Sequence, residues 1–152
     1  MNPPLQTLIQ HAEQARDAAA ATLLQAEETS RRLRQQWQQL ESYHADYAAR
    51  APGLSGRAAP IDALRSHHAF MQRLNQALAQ QQGLLQAADQ RVAQQRQTLL
   101  ALEVRLASVR KLHERRQQEE QRSADALEER RRDESAMQRH WRDSTAGRSA
   151  AG

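Results

Sequence analysis

An all-α protein is predicted: a long antiparallel two-helix coiled coil, an α-helical hairpin whose second helix outruns the first. Three observations lead there. The 152 residues are 39% hydrophobic, 26% charged and 3% aromatic, with five glycines; this composition suits long helices and cannot build a thick globular core. Apolar residues recur at alternating steps of three and four, the spacing of a coiled-coil seam, along two stretches without a skip. Between those stretches one segment, Ala51 to Pro60, gathers Pro52, Gly53, Gly56 and Pro60.

Taken in order, residues 1–4 form a disordered start carrying Pro3 and Pro4. Helix one covers 5–50, about 70 Å of rod at 1.5 Å per residue. Its seam runs from Leu5, Ile9 and Ala12 to Leu40 and Tyr47, interrupted only by Arg16, Ser30 and His44. The turn covers 51–60. There Pro52 and Gly53 stop the incoming helix, and Pro60 suits the first turn of the outgoing one. Helix two covers 61–142, about 120 Å if unbroken. Its seam runs from Leu64 through Met71, Leu85 and Val92 to Leu106 and Val109, interrupted only by His67, Gln81 and Gln95. Gly83 falls at the solvent-facing heptad position f, where it costs about 1 kcal/mol without breaking the rod. The small polar residues of 143–152 predict a disordered tail.

A level fold about the turn sets Tyr47 opposite Leu64 and Leu5 opposite Leu106, with an a residue meeting a d residue in every layer. The polar interruptions then coincide: Arg16 with Gln95, Ser30 with Gln81, His44 with His67. Buried polar residues penalise wrong registers, so three coincident layers favour this pairing over a slipped one. Helix one runs out at Leu5, which leaves an overhang from about residue 110. Its continuing seam is polar, and a lone polar helix relies on charge pairs such as Glu128 with Arg132.

Several function classes are disfavoured. The absence of cysteine excludes disulfides and thiolate chemistry. No apolar run approaches the roughly 20 residues that span a bilayer, and the first residues lack a signal-peptide layout, so a cytoplasmic protein is expected. The net charge of +4 does not point to nucleic acid, because Arg and Glu interleave and the basic triplet Arg130 to Arg132 is followed at once by Asp133 and Glu134. No P-loop, GxSxG or HExxH motif is present, and a two-helix rod offers no cleft, so no enzyme and no cofactor is expected. His44, His67 and His68 approach one another near the turn, yet two imidazoles in a seam can bond to each other or to water, and no metal site is expected.

The aromatic residues are informative. Trp37, Tyr43, Tyr47 and Phe70 all fall near the turn. Trp37 and Tyr47 are seam residues. Tyr43 and Phe70 are both at position g, so folding back sets them side by side on one flank, bordered by Leu40 and Leu74. An apolar patch on a polar rod favours a partner site over the alternative, that the two rings shield a wide seam.

These stretches resemble the flagellar export protein FliJ family. The resemblance rests on LQTL at 5–8, YHADY at 43–47, FMQRLNQALAQQ at 70–81 and KLHERRQQEE at 111–120, followed by a charged helix with a late DE at 133 and 134. It implies a soluble component of the flagellar type III export apparatus, cytoplasmic and peripheral at the inner membrane, similar to the stalk subunit of rotary ATPases. The partners it implies are the hexameric export ATPase FliI, the export gate protein FlhA and export chaperones. The family's gate-binding surface falls on Gln36, Leu40, Tyr43 and Tyr47 of helix one and on Phe70, Leu74, Ala77 and Gln81 of helix two; at Gln81 the family pattern has His. Two other readings remain open from the residues: the stalk of a virulence type III secretion ATPase, and a generic coiled-coil scaffold that homodimerises.

Overall fold

A computed structural model describes residues 4–53, 56 and 59–150. The described chain forms two helices, α1 (Leu5–Ala49) and α2 (Ile61–Ala150). Residues 1–3 of the expected start, 54, 55, 57 and 58 of the turn, and 151 and 152 of the tail lie outside the described residues.

The ends of the helices follow from their capping chemistry. The Pro4 carbonyl accepts from the N–H groups of Thr7 and Leu8 at 3.0 and 3.2 Å, so Pro4 caps α1. At the far end, Arg50 N–H bonds to the Tyr47 carbonyl and Ala51 N–H to that of Ala48, a tightening to i−3 bonds that satisfies the last carbonyls. Gly53 and Gly56 take φ of 92° and 77°, and Gly56 N–H bonds back to the Gly53 carbonyl at 3.2 Å. Only glycine enters that region without strain. Pro60 sits just before α2 and not in its first turn; its carbonyl accepts from Leu64 N–H at 3.2 Å. Asp62 in the first turn complements the helix dipole.

The expected disordered tail is helical from residue 143 to Ala150. The stretch has no proline, and the hydroxyls of Ser144 and Thr145 donate back to the Trp141 carbonyl at 3.1 and 2.7 Å, so side chains support the turn there.

Two compact units are distinguished: His11–Arg105, and Met1–Gln10 with Leu106–Gly152. The larger unit is the hairpin proper. Ala12, Ala19 and Ala26, one heptad apart, are buried on α1 together with Ser30, and Leu74, Leu85 and Val92 are buried on α2. Small residues on one helix and branched ones on the other allow close approach, and each buried Leu or Val stabilises by roughly 1.5–3 kcal/mol. In the smaller unit Leu106 is 2% exposed, and Leu5, Leu8, Ile9, Val109 and His113 are half-buried. The seam thus continues to His113, slightly past the expected start of the overhang. Every described residue from 114 to 150 is exposed, including Met137 and Trp141. The pair Arg132–Glu128 forms at 3.6 Å.

The register differs from the level fold. Ser30 Oγ donates to Asp89 Oδ1 at 2.6 Å and does not meet Gln81. His44 Nε2 bonds Asn75 Oδ1 at 2.7 Å and not His67. Gln81 bonds Gln36, Tyr47 packs on Phe70 rather than Leu64, and Arg16 turns to its neighbour Asp17. The partners found by Ser30, His44 and Tyr47 each lie about one heptad further along α2 than expected. A slip of one heptad keeps each a residue opposite a d residue, so the apolar pattern cannot distinguish the two pairings. The polar groups decide: Asp89 offers Ser30 and Arg34 a carboxylate, whereas Gln81 would offer Ser30 only a neutral amide. As a consequence the start of α2 projects past the end of α1, which leaves Ile61 66% and Leu64 43% exposed.

Candidate partner-binding face

Heptad positions g and d of both helices share one flank of an antiparallel hairpin. Gln36, Leu40, Tyr43 and Tyr47 occupy g, d, g and d on α1, a run of about 16 Å at 1.5 Å per residue. Phe70, Leu74, Ala77 and Gln81 occupy the same sequence of positions on α2. All eight lie within His11–Arg105.

The face is tied across the helices at both ends. At one end Gln81 Nε2 donates to Gln36 Oε1 at 2.9 Å. At the other the rings of Tyr47 and Phe70 lie with centroids 4.5 Å apart and planes tilted by 44°, within the range of favourable aromatic pairs. Between these ties Leu74 is 8% exposed and forms the floor, and Leu40, Ala77 and Gln81 are half-buried. Tyr43 stands out at 60% exposure, while Tyr47 and Phe70 are 38% and 37% exposed. The expected neighbour of Phe70 was Tyr43; the one-heptad shift gives it Tyr47, a seam residue near the open end of α1. The ring of Phe70 therefore both holds the hairpin and lines its surface, and Tyr43 is the most exposed aromatic group of this face.

The opposite flank is polar. Asp89 accepts from Ser30 and from Arg34 Nη2 at 3.1 Å, and Arg96 Nη2 approaches Glu27 Oε1 at 3.4 Å. Ser30 is buried, so its 2.6 Å bond to a carboxylate is charge-assisted in a partly dry setting. The more exposed Arg34 and Arg96 pairs add little individually. The sequence reading missed Asp89; the available signal was an acid directly after seam residue Ala88, two turns from where a partner for Ser30 was sought.

Among the described residues no group of three or more His, Asp or Glu gathers as a metal site. Nor is any described helix long and apolar enough to cross a membrane.

The family model described as Flagellar FliJ protein matches residues 1–145. No curated protein and no solved structure matches the chain significantly.

Proposed function

The chain belongs to the flagellar FliJ family and is thus a structural component of flagellar type III protein export; from that premise we propose that it is a stalk-like coiled coil that engages the FliI export ATPase ring and links it to the export gate FlhA and to export chaperones. The family match over residues 1–145 carries this reading.

The geometry supports a division of labour. The g/d flank of the hairpin, from Gln36 and Gln81 at one end to Tyr47 and Phe70 at the other, is an apolar surface of the kind that protein partners anchor on. The segment from 114 to 150 is exposed along all its described length and carries interleaved Arg and Glu, which suits electrostatic contact with a charged ring lining. The protein works at the cytoplasmic face of the inner membrane and is held there by its partners.

The test uses the purified chain with the export ATPase and the cytoplasmic part of the gate protein from the same genome. Tyr43→Ala reduces gate binding and leaves ATPase stimulation intact, and a chain ending at His113 does the reverse. Absence of binding to either purified partner by the unaltered chain overturns the assignment.

A further inference from the structure

We propose that the hairpin has a second register, one heptad from the observed one, and that Asp89 is the latch that selects between them. The proposal concerns the hairpin alone and stands whether or not the partner assignments above hold.

The seam of each helix advances by threes and fours without a skip, so sliding α1 by seven residues along α2 restores an a residue opposite a d residue in every layer. The apolar layers survive the slide. By the register that the cross-helix bonds set, Ala26 lies opposite Val92 and Leu33 opposite Leu85; after the slide Ala26 meets Leu85 and Leu33 meets Leu78. Polar layers change in both directions. The observed register sets Trp37 opposite Gln81 and His44 opposite Leu74, mismatches that the slide resolves into Trp37 with Leu74 and His44 with His67. Leu64, now 43% exposed, gains Tyr47 as a partner. Against these gains stand the bonds of Ser30 and Arg34 to Asp89 at 2.6 and 3.1 Å, the Gln36–Gln81 bond and the Tyr47–Phe70 ring pair. In the Ser30–Asp89 bond a buried hydroxyl meets a carboxylate, which makes it costly to leave.

The connection permits both states. Residues 50–60 reach about 36 Å when extended, whereas crossing between packed axes takes about 10 Å and a heptad of rise about 10 Å more. Gly53 and Gly56, both at positive φ, lie within that connection. Since the slide separates Phe70 from Tyr47 and Gln81 from Gln36, it dismantles both ties of the g/d face at once. A displacement along the seam is thereby converted into a changed binding surface near the turn, as a packed interface with two discrete states allows.

The chain has no cysteine, so paired replacements report the register directly. Ala26→Cys with Val92→Cys reports the observed pairing, Ala26→Cys with Leu85→Cys the second one, and Ala26→Cys with Leu78→Cys a pairing two heptads away. Under mild oxidation of the full chain, the first pair closes fastest and the second closes faster than the third. Adding Asp89→Ala, or Ser30→Ala with Arg34→Ala, speeds closure of the second pair by about threefold or more and slows the first, leaving the third unmoved. The proposal is overturned if the second and third pairs close equally in all backgrounds. It is equally overturned if unlatching accelerates all three together, which is the signature of a hairpin merely loosened.

Discussion

Tyr43 and Phe70 occupy equivalent heptad positions, yet removing them has different consequences. An aromatic side chain buries on the order of 200 Å² when fully covered. Tyr43 is 60% exposed, so roughly 80 Å² is covered, and at about 25 cal/mol per Å² its loss costs at most ~2 kcal/mol, less what the alanine methyl retains. Phe70 is 37% exposed; roughly 125 Å² is covered, worth ~3 kcal/mol, and the ring pair with Tyr47 adds about 0.5–1.5 kcal/mol. Tyr43→Ala therefore leaves helix content close to the parent and lowers the melting temperature only modestly, and Phe70→Ala lowers stability by about 2 kcal/mol more than Tyr43→Ala does. Binding to the export gate separates them in the opposite sense: Tyr43→Ala loses affinity by about thirtyfold with the hairpin intact, as expected of an aromatic anchor worth ~2 kcal/mol. Denaturation followed by circular dichroism and titration of the gate's cytoplasmic part measure the two quantities. If Tyr43→Ala melts as low as Phe70→Ala, or binds the gate as tightly as the parent, Tyr43 is shielding and not an anchor.

Gly83 is exposed within α2, and a Cβ there would meet nothing within 4 Å, so Gly83→Ala stabilises by about 0.5–1 kcal/mol, visible as a raised denaturation midpoint. His44→Leu raises stability by about 1 kcal/mol, because the new side chain extends the apolar seam toward Leu74 and the abandoned Asn75 is exposed and stays hydrated; a lowered midpoint would show that the His44–Asn75 bond dominates. Ending the chain at His113 leaves the midpoint nearly unchanged, since the residues removed are exposed throughout 114–150, while stimulation of the purified export ATPase falls.

Helix existence, the place of the turn and the end of the paired seam were legible in the sequence because each has a local cause. Leu5–Ala49 and Ile61–Ala150 follow from heptad spacing, and Gly53 and Gly56 at positive φ mark where helix cannot continue. The loss of burial after His113 tracks the change of seam residues from Leu106 and Val109 to Arg116 and Glu120. The end of α2 was less legible: small polar residues suggest disorder, but with Ser144 and Thr145 bonded back to Trp141 no group there forces the helix to stop. Asp89 was invisible for another reason. A position-e acid on a polar rod resembles every other surface acid, and only the pairing of the two helices shows that it lies against buried Ser30.

Register is where a heptad repeat carries least information, because a pattern that repeats every seven residues is unchanged by a slide of seven. Arg16, Ser30 and His44 were expected to settle it by meeting Gln95, Gln81 and His67, and each found another partner: Asp17, Asp89 and Asn75. Two of these partners are anions, consistent with charge-assisted bonds outweighing neutral polar matches. The grouping of the candidate face does not depend on the register, for a geometric reason. Positions g and d of both helices stay on one flank in either register, so the same eight residues remain together and only their mates change. Gln36 acquires Gln81 and Tyr47 acquires Phe70, and the surface most exposed between those ties is Tyr43. A seam that fixes the flank but not the register lets a single carboxylate, Asp89, decide which side chains that flank presents together.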